Sequence, residues 1–416
     1  MLVYKEILWC NIFIANMTGE VQRENLYTQK LYPSVNNDDL LEFRIPPNSK
    51  GHLDLGNIML HFTVTIPTPT DKSVKIVPQN FFGPKQFSSL EVRINGDAVS
   101  RRSCANEYFL GSYFQNILNY SIDYQTSAFR TVGIFDYTQG ATADISHYSA
   151  PVTTAFENSR TNVVSSNEYE ILMPLDSTIF YSNSLLPTNT SIDLSFERMT
   201  AASSTLLLKD TILTNTVLKL EDVYLLLPFK KDENLFQLER NAIQRPIKMN
   251  FDEYVIKRFN VPKGTTSVMM SDVIAGNLPH KLFWGLQTIN SYTGSFLESS
   301  TRFNRNGLLK ANMYINGKEA TDYPVTMNKK HVSLPFVKFL ENANQHQNAY
   351  LSRTISLIEF EQSNFLLSST IEGGTTGSIS FAFDFEQPLT DDLVLITCGI
   401  FDKTMRLDHQ RNFQIT

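Results

Sequence analysis

Cysteine and tryptophan are scarce in this chain of 416 residues, which holds only three Cys and two Trp. The cysteines, Cys10, Cys104 and Cys398, are odd in number and far apart, so the sequence predicts neither a disulfide framework nor a cysteine-based zinc site. We expect them to be reduced thiols. The tryptophans, Trp9 and Trp284, provide few of the exposed aromatic platforms that a carbohydrate-binding site would need.

Excess positive charge and long apolar runs are also missing. The 36 basic and 42 acidic residues give a net charge of −6, which argues against a dominant nucleic-acid surface. Residues Met1 to Asn16 are apolar, but Lys5 and Glu6 interrupt them, and the stretch is too short to span a bilayer. We expect a terminal arm that contacts a membrane or a partner, or else a flexible terminus with Met17 as an alternative start.

Catalytic and ligand-binding motifs are absent from the sequence. The seven His residues include no i, i+2 or i, i+4 pair of the kind that binds a metal, and there is neither a Gly-x-Ser-x-Gly elbow nor a phosphate-binding loop. The acidic doublets Asp38-Asp39 and Asp391-Asp392 adjoin strand starts, so we interpret them as solvated turn residues. No carboxylate pair suggests a glycoside hydrolase. The sequence therefore predicts no catalytic residue, no cofactor, no metal and no enzymatic activity.

Aromatic and β-branched residues are plentiful instead. The chain has 29 Phe and 17 Tyr, and together with many Thr, Val and Ile they favour pleated sheets over helices. A chain of 416 residues is too long for one ordinary core, and two domains of about 200 residues match the usual domain size. We expect an all-β protein with two domains.

A repeated strand and turn indicates how the two domains are related. Phe87 to Ser100 reads FSSLEVRINGDAVS, and Leu308 to Thr321 reads LLKANMYINGKEAT. Each copy alternates apolar and polar residues and then reaches Asn-Gly, which is typical of a two-residue hairpin turn because both residues accept positive φ. Asn95, Gly96, Asn316 and Gly317 are therefore predicted structural turn residues.

Further similarities follow in the same order along both halves. The pairs are Phe43–Pro46 with Phe259–Pro262, the strands Ile58–Ile66 with Lys281–Thr288, and Ser191–Glu197 with Ser380–Glu386. From the hairpin Asn to the last Phe there are 101 residues in the first half and 69 in the second, so the first is 32 residues longer. We interpret this as one β fold present twice, with a long interaction loop inserted in the first copy at Phe135 to Asn167.

Other segments complete the predicted organisation. Ala105 to Tyr120 has helical spacing and is expected to form a short amphipathic helix packed on the sheet. The apolar run Val332 to Phe339 is expected to be a strand. The charged break at Lys230 suggests the boundary between domains. We predict an N-terminal arm in residues 1–30, a first domain in 31–229 and a second in 230–416.

Five stretches of the sequence carry a resemblance to a known family. They are Leu41–Asn57, Phe87–Tyr120, Tyr254–Gly294, Met313–Gly317 and Pro388–Asn412. In these stretches the chain resembles the double jelly-roll major capsid proteins, specifically those of the Polinton/Maverick elements and their adintovirus relatives. The likeness runs in order from about Leu31 to the C-terminus, and Tyr254–Gly294 is its most specific part.

The resemblance implies a fold and a structural function. The fold would be two tandem eight-stranded jelly-roll β-sandwiches with short helices in inter-strand loops, and the family provides no catalytic residues to transfer. Three chains would form a pseudo-hexagonal homotrimer that tiles an icosahedral virion shell around double-stranded DNA, without sequence-specific DNA binding. Neighbouring capsomers, penton and minor capsid proteins would be partners, with assembly in the nucleus or cytoplasm of a host cell. The alternative that the residues leave open is a lectin-like carbohydrate-binding β-sandwich.

Overall fold

The computed structural model describes most of both halves of the chain. Its residues are 26–66, 76–100, 106–120, 131–133, 163–165, 168–181, 185–208, 217–231, 236–237, 239, 247–320, 323–327, 333–343, 360, 365–407 and 413–415. Within these ranges no helix is both long enough and apolar enough to cross a membrane.

The first half is built from fourteen strands and one α-helix in the described residues. They are β1 (Leu26–Leu31), β2 (Val35–Asn36), β3 (Leu40–Ile45), β4 (His52–Asp54), β5 (Met59–Thr65), β6 (Ile76–Pro78), β7 (Phe87–Ile94), β8 (Asp97–Ser100), α1 (Glu107–Asn119), β9 (Val163–Ser165), β10 (Glu168–Pro174), β11 (Leu185–Leu186), β12 (Ile192–Arg198), β13 (Leu206–Leu208) and β14 (Leu220–Lys230).

The second half continues with ten strands and two α-helices in the described residues. They are β15 (Ile247–Val261), β16 (Ser267–Asn277), β17 (Lys281–Thr288), α2 (Ile289–Thr293), β18 (Leu308–Ile315), β19 (Lys318–Glu319), β20 (Val325–Thr326), α3 (Ser333–Asn342), β21 (Leu367–Thr370), β22 (Thr376–Phe385), β23 (Leu393–Leu407) and β24 (Phe413–Ile415).

Each half forms a sandwich of two antiparallel sheets with the same strand order. In the first half β14 pairs with β1 and β5, β5 pairs with β10, and the facing sheet runs β3-β12-β7-β8. In the second half the corresponding orders are β15-β23-β17-β21 and β16-β22-β18-β19. Eight strands therefore correspond one to one, and the arrangement is that of two tandem jelly rolls. This confirms the predicted fold class.

Aromatic side chains fill both sandwiches. In the first jelly roll Phe62 meets Phe87 of the facing sheet edge-on at 5.7 Å, and Phe87 lies 4.9 Å from Phe196. In the second jelly roll Trp284 contacts Phe381 at 5.1 Å across the sandwich. All five side chains are buried, so the high phenylalanine content is explained by core packing rather than by a binding surface.

The two Asn-Gly turns have the same geometry. Asn95 and Gly96 have φ of 51° and 91°, and Asn316 and Gly317 have φ of 52° and 75°. Each turn joins a paired hairpin, β7 to β8 and β18 to β19. The Asn95 Oδ1 atom accepts a hydrogen bond from the Ser191 backbone N–H at 2.9 Å. The turn residues thus also hold the beginning of a neighbouring strand.

The second turn makes the same contact and fixes the alignment of the repeats. Asn316 Oδ1 accepts from the backbone N–H of Ser378 at 2.9 Å, so Ser378 corresponds to Ser191. The sequence pairing of Ser191 with Ser380 is therefore wrong by two residues. Side chains on the same face of a strand recur every two residues, so this two-residue alignment error left the pattern of inward and outward side chains unchanged. The turn and strand are 96 residues apart in the first half and 62 in the second, a difference of 34.

One of the sequence similarities joins strands that are not equivalent. Phe43–Pro46 lies at the end of β3, whereas Phe259–Pro262 lies at the end of β15. By strand order β3 corresponds to β16, and β15 corresponds to β1. The match arose because proline ends any strand in the same way, whatever its place in the sheet. The strands that follow, β5 and β17, do correspond.

Three other segments differ from expectation or lie partly outside the described residues. Leu26–Leu31, assigned mostly to the arm, forms β1 and pairs with β14 along its whole length. From sequence Val332–Phe339 is expected to be a strand, but most of helix α3 lies in this stretch. Pro335 falls in the first turn of the helix, where backbone N–H groups have no intrahelical acceptor, so the missing N–H of proline costs no hydrogen bond. Of the expected interaction loop Phe135–Asn167, only Val163–Ser165 is described, and it forms β9.

Replacing Asn316 with alanine is expected to destabilise the second jelly roll by about 1–2 kcal/mol. Alanine pays a steric cost at the φ of 52°, and the Ser378 N–H loses its side-chain acceptor. Urea unfolding followed by fluorescence would measure the change. Asp272, an exposed residue of β16 with a positive φ of 53°, provides the control for the steric cost of alanine alone. If the Asn316 variant were as stable as the wild type, the turn would not contribute as described.

Candidate functional site: the joint between the jelly rolls

Helix α1 lies between the two jelly rolls and is buried along nearly its whole length. Toward the first jelly roll, the ring of Tyr108 lies 6.1 Å from Phe87. Toward the second, Tyr113 stacks on Phe303 at 5.5 Å with an interplanar angle of 21°, and Phe114 lies 5.9 Å from the same ring. The predicted helix is confirmed, but it packs on two domains rather than on one sheet. We call the buried contact between the two jelly rolls around α1 the joint.

Polar side chains tie α1 to its surroundings at both ends. Ser112 donates a short hydrogen bond to Asp176, which follows β10 of the first jelly roll. Asn119 Nδ2 donates to Tyr254 Oη at 3.0 Å on β15 of the second. Just before the helix, Asn106 Nδ2 donates to the Tyr292 carbonyl at 2.9 Å, and that residue also belongs to the second jelly roll. The helix is therefore hydrogen-bonded across the joint in two places.

A fully buried lysine lies beside the helix. Lys85 Nζ donates to Gln79 Oε1 at 2.9 Å within the first jelly roll. It also lies 3.4 Å from Ser299 Oγ and 3.5 Å from Thr301 Oγ1 of the second, and 5.9 Å from the Phe109 ring. Burial holds the pKa of Lys85 well below its ordinary value of 10.5, because the charged form loses its hydration.

Gln79 uses both ends of its amide to bridge the jelly rolls. Nε2 donates to the carbonyls of Ser203 at 3.2 Å and Ser295 at 3.5 Å, one in each half of the chain. Oε1 accepts from Lys85 and from the backbone N–H of Ser300 at 3.0 Å. A buried polar network that is satisfied in this way fixes geometry more strictly than apolar packing alone.

Gly294 allows a close backbone approach in the joint. Its φ is 100°, and a Cβ atom there would lie 2.2 Å from Ser204 Oγ and 3.1 Å from the Ser204 backbone nitrogen. Any larger residue would push the β17–β18 connection away from the first jelly roll. The sequence requirement at this position is thus imposed by the joint itself.

Burial favours the neutral form of several titratable groups around the joint. Burial raises the pKa of the Tyr108 and Tyr254 hydroxyls and of the Cys398 thiol above their ordinary values. A thiol with a raised pKa is a poor nucleophile. Cys398 is a free buried thiol, as expected, and Cys10 and Cys104 lie outside the described residues. The arrangement fixes the position of the two domains relative to each other.

One cluster of metal-ligand side chains does form elsewhere. Ligand atoms of Asp252, His280 and Asp402 lie within 4.8 Å of one another, with His280 Nδ1 3.7 Å from Asp402 Oδ1. Asp252 also faces Lys281, and the Asp402 side chain is largely exposed. The sequence, from which no metal was expected, gives no sign of this cluster because its members are far apart along the chain.

The remaining residues singled out by sequence lie away from the joint or outside the described part. Asp391 and Asp392 are exposed, and Asp392 Oδ1 accepts from the Lys263 backbone N–H at 2.7 Å, so they serve a turn. Asp38 and Asp39 are exposed as well. The indole of Trp284 is buried and donates to Tyr323 Oη, which removes it as a sugar platform, and Trp9 is not among the described residues.

Comparison with known proteins gives a clear result only for structure. No family model matches the sequence, and no curated protein matches it. A chain in the cryo-EM structure of the Sputnik virophage matches with a TM-score of 0.61 and 10% identity, covering 96% of this chain and 90% of that one. The mavirus major capsid protein matches with a TM-score of 0.56 and 9% identity, covering 96% and 92%.

A third solved structure spans the chain to the same extent. The quasi-atomic structure of the PBCV-1 virus capsid matches with a TM-score of 0.56 and 10% identity, covering 96% of this chain and 99% of that one. At such low identity these likenesses establish the fold. They extend across both jelly rolls, so the tandem arrangement is shared as well as the single sandwich.

Proposed function

We propose that this chain is a major capsid protein, a structural subunit of an icosahedral virion. The observation that carries the proposal is the pair of equivalent jelly rolls fixed to each other by a buried joint. Such a subunit offers two similar domains, in a fixed relative orientation, for contacts with neighbouring subunits. The joint keeps that orientation through the stacking of Tyr113 on Phe303 and the Gln79–Lys85 network.

The names of the structural neighbours support this function. One neighbour is a major capsid protein of mavirus, another comes from the PBCV-1 capsid, and a third belongs to the Sputnik virophage. Each covers at least nine-tenths of both chains in the comparison. Because the whole tandem fold is matched, the proposal concerns the whole described chain rather than one domain.

The proposed assembly is a homotrimer with a pseudo-hexagonal outline. A closed ring repeats one heterologous interface, and a chain with two similar domains gives three copies six similar units. Such trimers would tile a shell around double-stranded DNA without sequence-specific contacts, consistent with the net charge of −6. Neighbouring capsomers, penton proteins and minor capsid proteins are the proposed partners, and the virion capsid the proposed location. Membership in the Polinton/Maverick group, with its adintovirus relatives, is the finer part of this proposal.

Purified protein is expected to have three times the mass of a single chain in size-exclusion chromatography with light scattering. Negative-stain electron micrographs should show hexagonal outlines or closed shells. A glycan-binding assay on the same preparation tests the lectin-like alternative. A single-chain mass at every concentration, together with glycan binding, would contradict the capsid proposal.

A further inference from the structure

The outer face of one sheet in the second jelly roll is closed. Trp284 on β17 contacts Phe381 and Phe383 of the facing sheet at 5.1 and 5.2 Å, so it points into the sandwich. Side chains alternate along a strand, and its neighbours Phe283 and Gly285 therefore face outward. Phe283 is nevertheless fully buried. Something outside the sheet must cover this face.

The cover comes partly from the first jelly roll. The residues directly across from Phe283 and Gly285 on β23 are Cys398 and Ile396, and both are fully buried. A Cβ atom on Gly285 would lie 2.7 Å from the ring of Phe303, and that ring stacks on Tyr113 of α1. Helix α1 thus covers part of the outer β15-β23-β17-β21 face of the next jelly roll in the chain. The β17–β21 side is covered by α3 of the second jelly roll itself, where Phe339 lies 5.9 Å from Phe283 and Asn342 hydrogen-bonds to Ser368.

The equivalent face of the first jelly roll is more open. Phe62 on β5 points into the sandwich toward Phe87, so Met59 and His61 face outward. Both are buried at the centre of the face, His61 by the stacked ring of Tyr224 at 4.2 Å. Five residues paired with or beside them on this face are only half-buried, namely Leu172, Pro174, Tyr224, Leu226 and Pro228. We call these seven residues the open face. It is mostly apolar, as its covered counterpart is.

Exposed apolar side chains continue the open face at its β1 edge. Leu26 at the start of β1 is 60% exposed, and Tyr32 just after β1 is 64% exposed. Tyr32 meets Tyr224 edge-on at 6.1 Å, so it extends the same surface. Lys30 lies over the Tyr224 ring at 4.0 Å and supplies a charge at this edge.

The second jelly roll carries a helix with an exposed apolar side. Helix α3 follows the second Asn-Gly hairpin, as α1 follows the first. Leu334 and Val337, one turn apart, are 67% and 38% exposed, whereas Phe339 and Leu340 are buried against the domain. Helix α1 has its outward side covered by the next jelly roll, but no later jelly roll exists in the described chain to cover α3.

We propose that the open face is the docking site for a second copy of this chain, which contacts it with the Leu334 and Val337 side of α3. The contact repeats between chains the arrangement that α1 makes within one chain. It rests on the proposed self-assembling function and adds the surfaces that perform it.

The occupant is a second copy because the chain already contains the matching pair of surfaces. The first jelly roll presents α1, and the second receives it on the outer face of its sheet. Helix α3 and the open face are the corresponding surfaces that the described chain leaves exposed. An interface between different surfaces must close into a ring or continue as a filament. Each chain contributes two jelly rolls. When each jelly roll is rotated by roughly a sixth of a turn from the one before it, three chains close the ring.

The double variant Leu334→Asp and Val337→Asp is expected to reduce the mass in light scattering from three chains to one. The matched control is Met269→Asp, an apolar residue on β16 that is 65% exposed and lies on the other sheet. The control should keep the wild-type mass. Circular dichroism should give wild-type spectra for both proteins, because all three positions are exposed.

A cross-linking arm locates the contact independently of any variant. Isotope-labelled and unlabelled chains are mixed under denaturing conditions, refolded together and treated with a lysine-reactive cross-linker. Lys30 lies beside the open face, and Lys338 lies on α3. Cross-links that join Lys30 of one isotope to Lys338 of the other are expected.

The outcomes separate this inference from the proposed function. A trimeric wild type whose α3 double variant also stays trimeric, with no mixed-isotope Lys30–Lys338 link, overturns the docking site and leaves the capsid function standing. A wild type that is monomeric at every concentration overturns both. Dissociation of the double variant with an intact Met269→Asp trimer supports the docking site.

Discussion

Replacing Phe303 with alanine is expected to cost about 3–5 kcal/mol and to uncouple the unfolding of the two jelly rolls. Large aromatic truncations in a core have this cost because they remove buried area and leave a cavity. The Phe303 ring is fully buried between Tyr113 and Phe114 of α1 on one side and Gly285 on the other. Its loss therefore removes the main apolar contact across the joint.

Differential scanning calorimetry distinguishes a loss of coupling from a general loss of stability. Phe383 provides the control, because it is equally buried but packs on Trp284 and Phe381 within the second jelly roll. We expect Phe383→Ala to shift the transition without dividing it, and Phe303→Ala to divide it. An undivided transition for Phe303→Ala, shifted like that of Phe383→Ala, would show that the joint does not couple the domains.

The fold could be predicted from sequence because its signals are local. The strand around Leu90 and Val92 alternates and runs directly into Asn95-Gly96, and the same order returns at Met313 and Asn316-Gly317. Period-two alternation determines which face enters the core, so even a two-residue alignment error kept the inward residues inward. A feature that lies within about 15 consecutive residues can be recognised without knowledge of distant contacts.

The joint could not be predicted, because its partners are distant in sequence. Gln115 and Asn116 on α1 are polar residues that would suggest a solvated helix face, yet both are buried in the structure. Lys85 stands in an apolar stretch where exposure would be the ordinary expectation, and its burial depends on Ser299 and Thr301, more than 200 residues later. Tertiary cover of this kind leaves no periodic signal.

The error at α3 has a different physical origin. The apolar run Val332 to Phe339 is short enough for a buried strand, and periodicity alone does not distinguish such a strand from a helix segment. In the structure the buried positions Pro335, Phe339 and Asn342 follow the i, i+4 and i+7 spacing of one helix face. Proline at position 335 is unfavourable in a central strand and compatible with a first helical turn.

Substituting Lys85 with methionine is expected to remove a pH dependence of stability that sets in below about pH 10.5. In the unfolded chain this lysine binds a proton below about pH 10.5, whereas burial in the folded protein lowers its pKa well below that value. Between the two pKa values the unfolded chain binds more protons, so the free energy of unfolding falls as the pH falls. Below the lowered pKa both states are charged and the dependence ends.

The size of the effect follows from proton linkage. One proton taken up only by the unfolded chain changes the free energy of unfolding by up to about 1.4 kcal/mol per pH unit. Methionine has a similar shape and no proton to bind, and Gln79 Oε1 still accepts from the Ser300 N–H at 3.0 Å and the Ser300 hydroxyl at 3.1 Å. The substitution therefore leaves that buried acceptor satisfied.

Urea unfolding at several pH values, with wild type, Lys85→Met and the exposed-site control Lys318→Met, measures the difference. The raised pKa values of Tyr108, Tyr254 and Cys398 lower stability at alkaline pH, but they do so equally in all three proteins and cancel on subtraction. The wild type and the Lys318 variant should follow parallel curves, while the stability of the Lys85 variant relative to both should rise as the pH falls. Parallel curves for all three proteins would mean that Lys85 keeps an ordinary pKa, and that the joint admits water to its ammonium group.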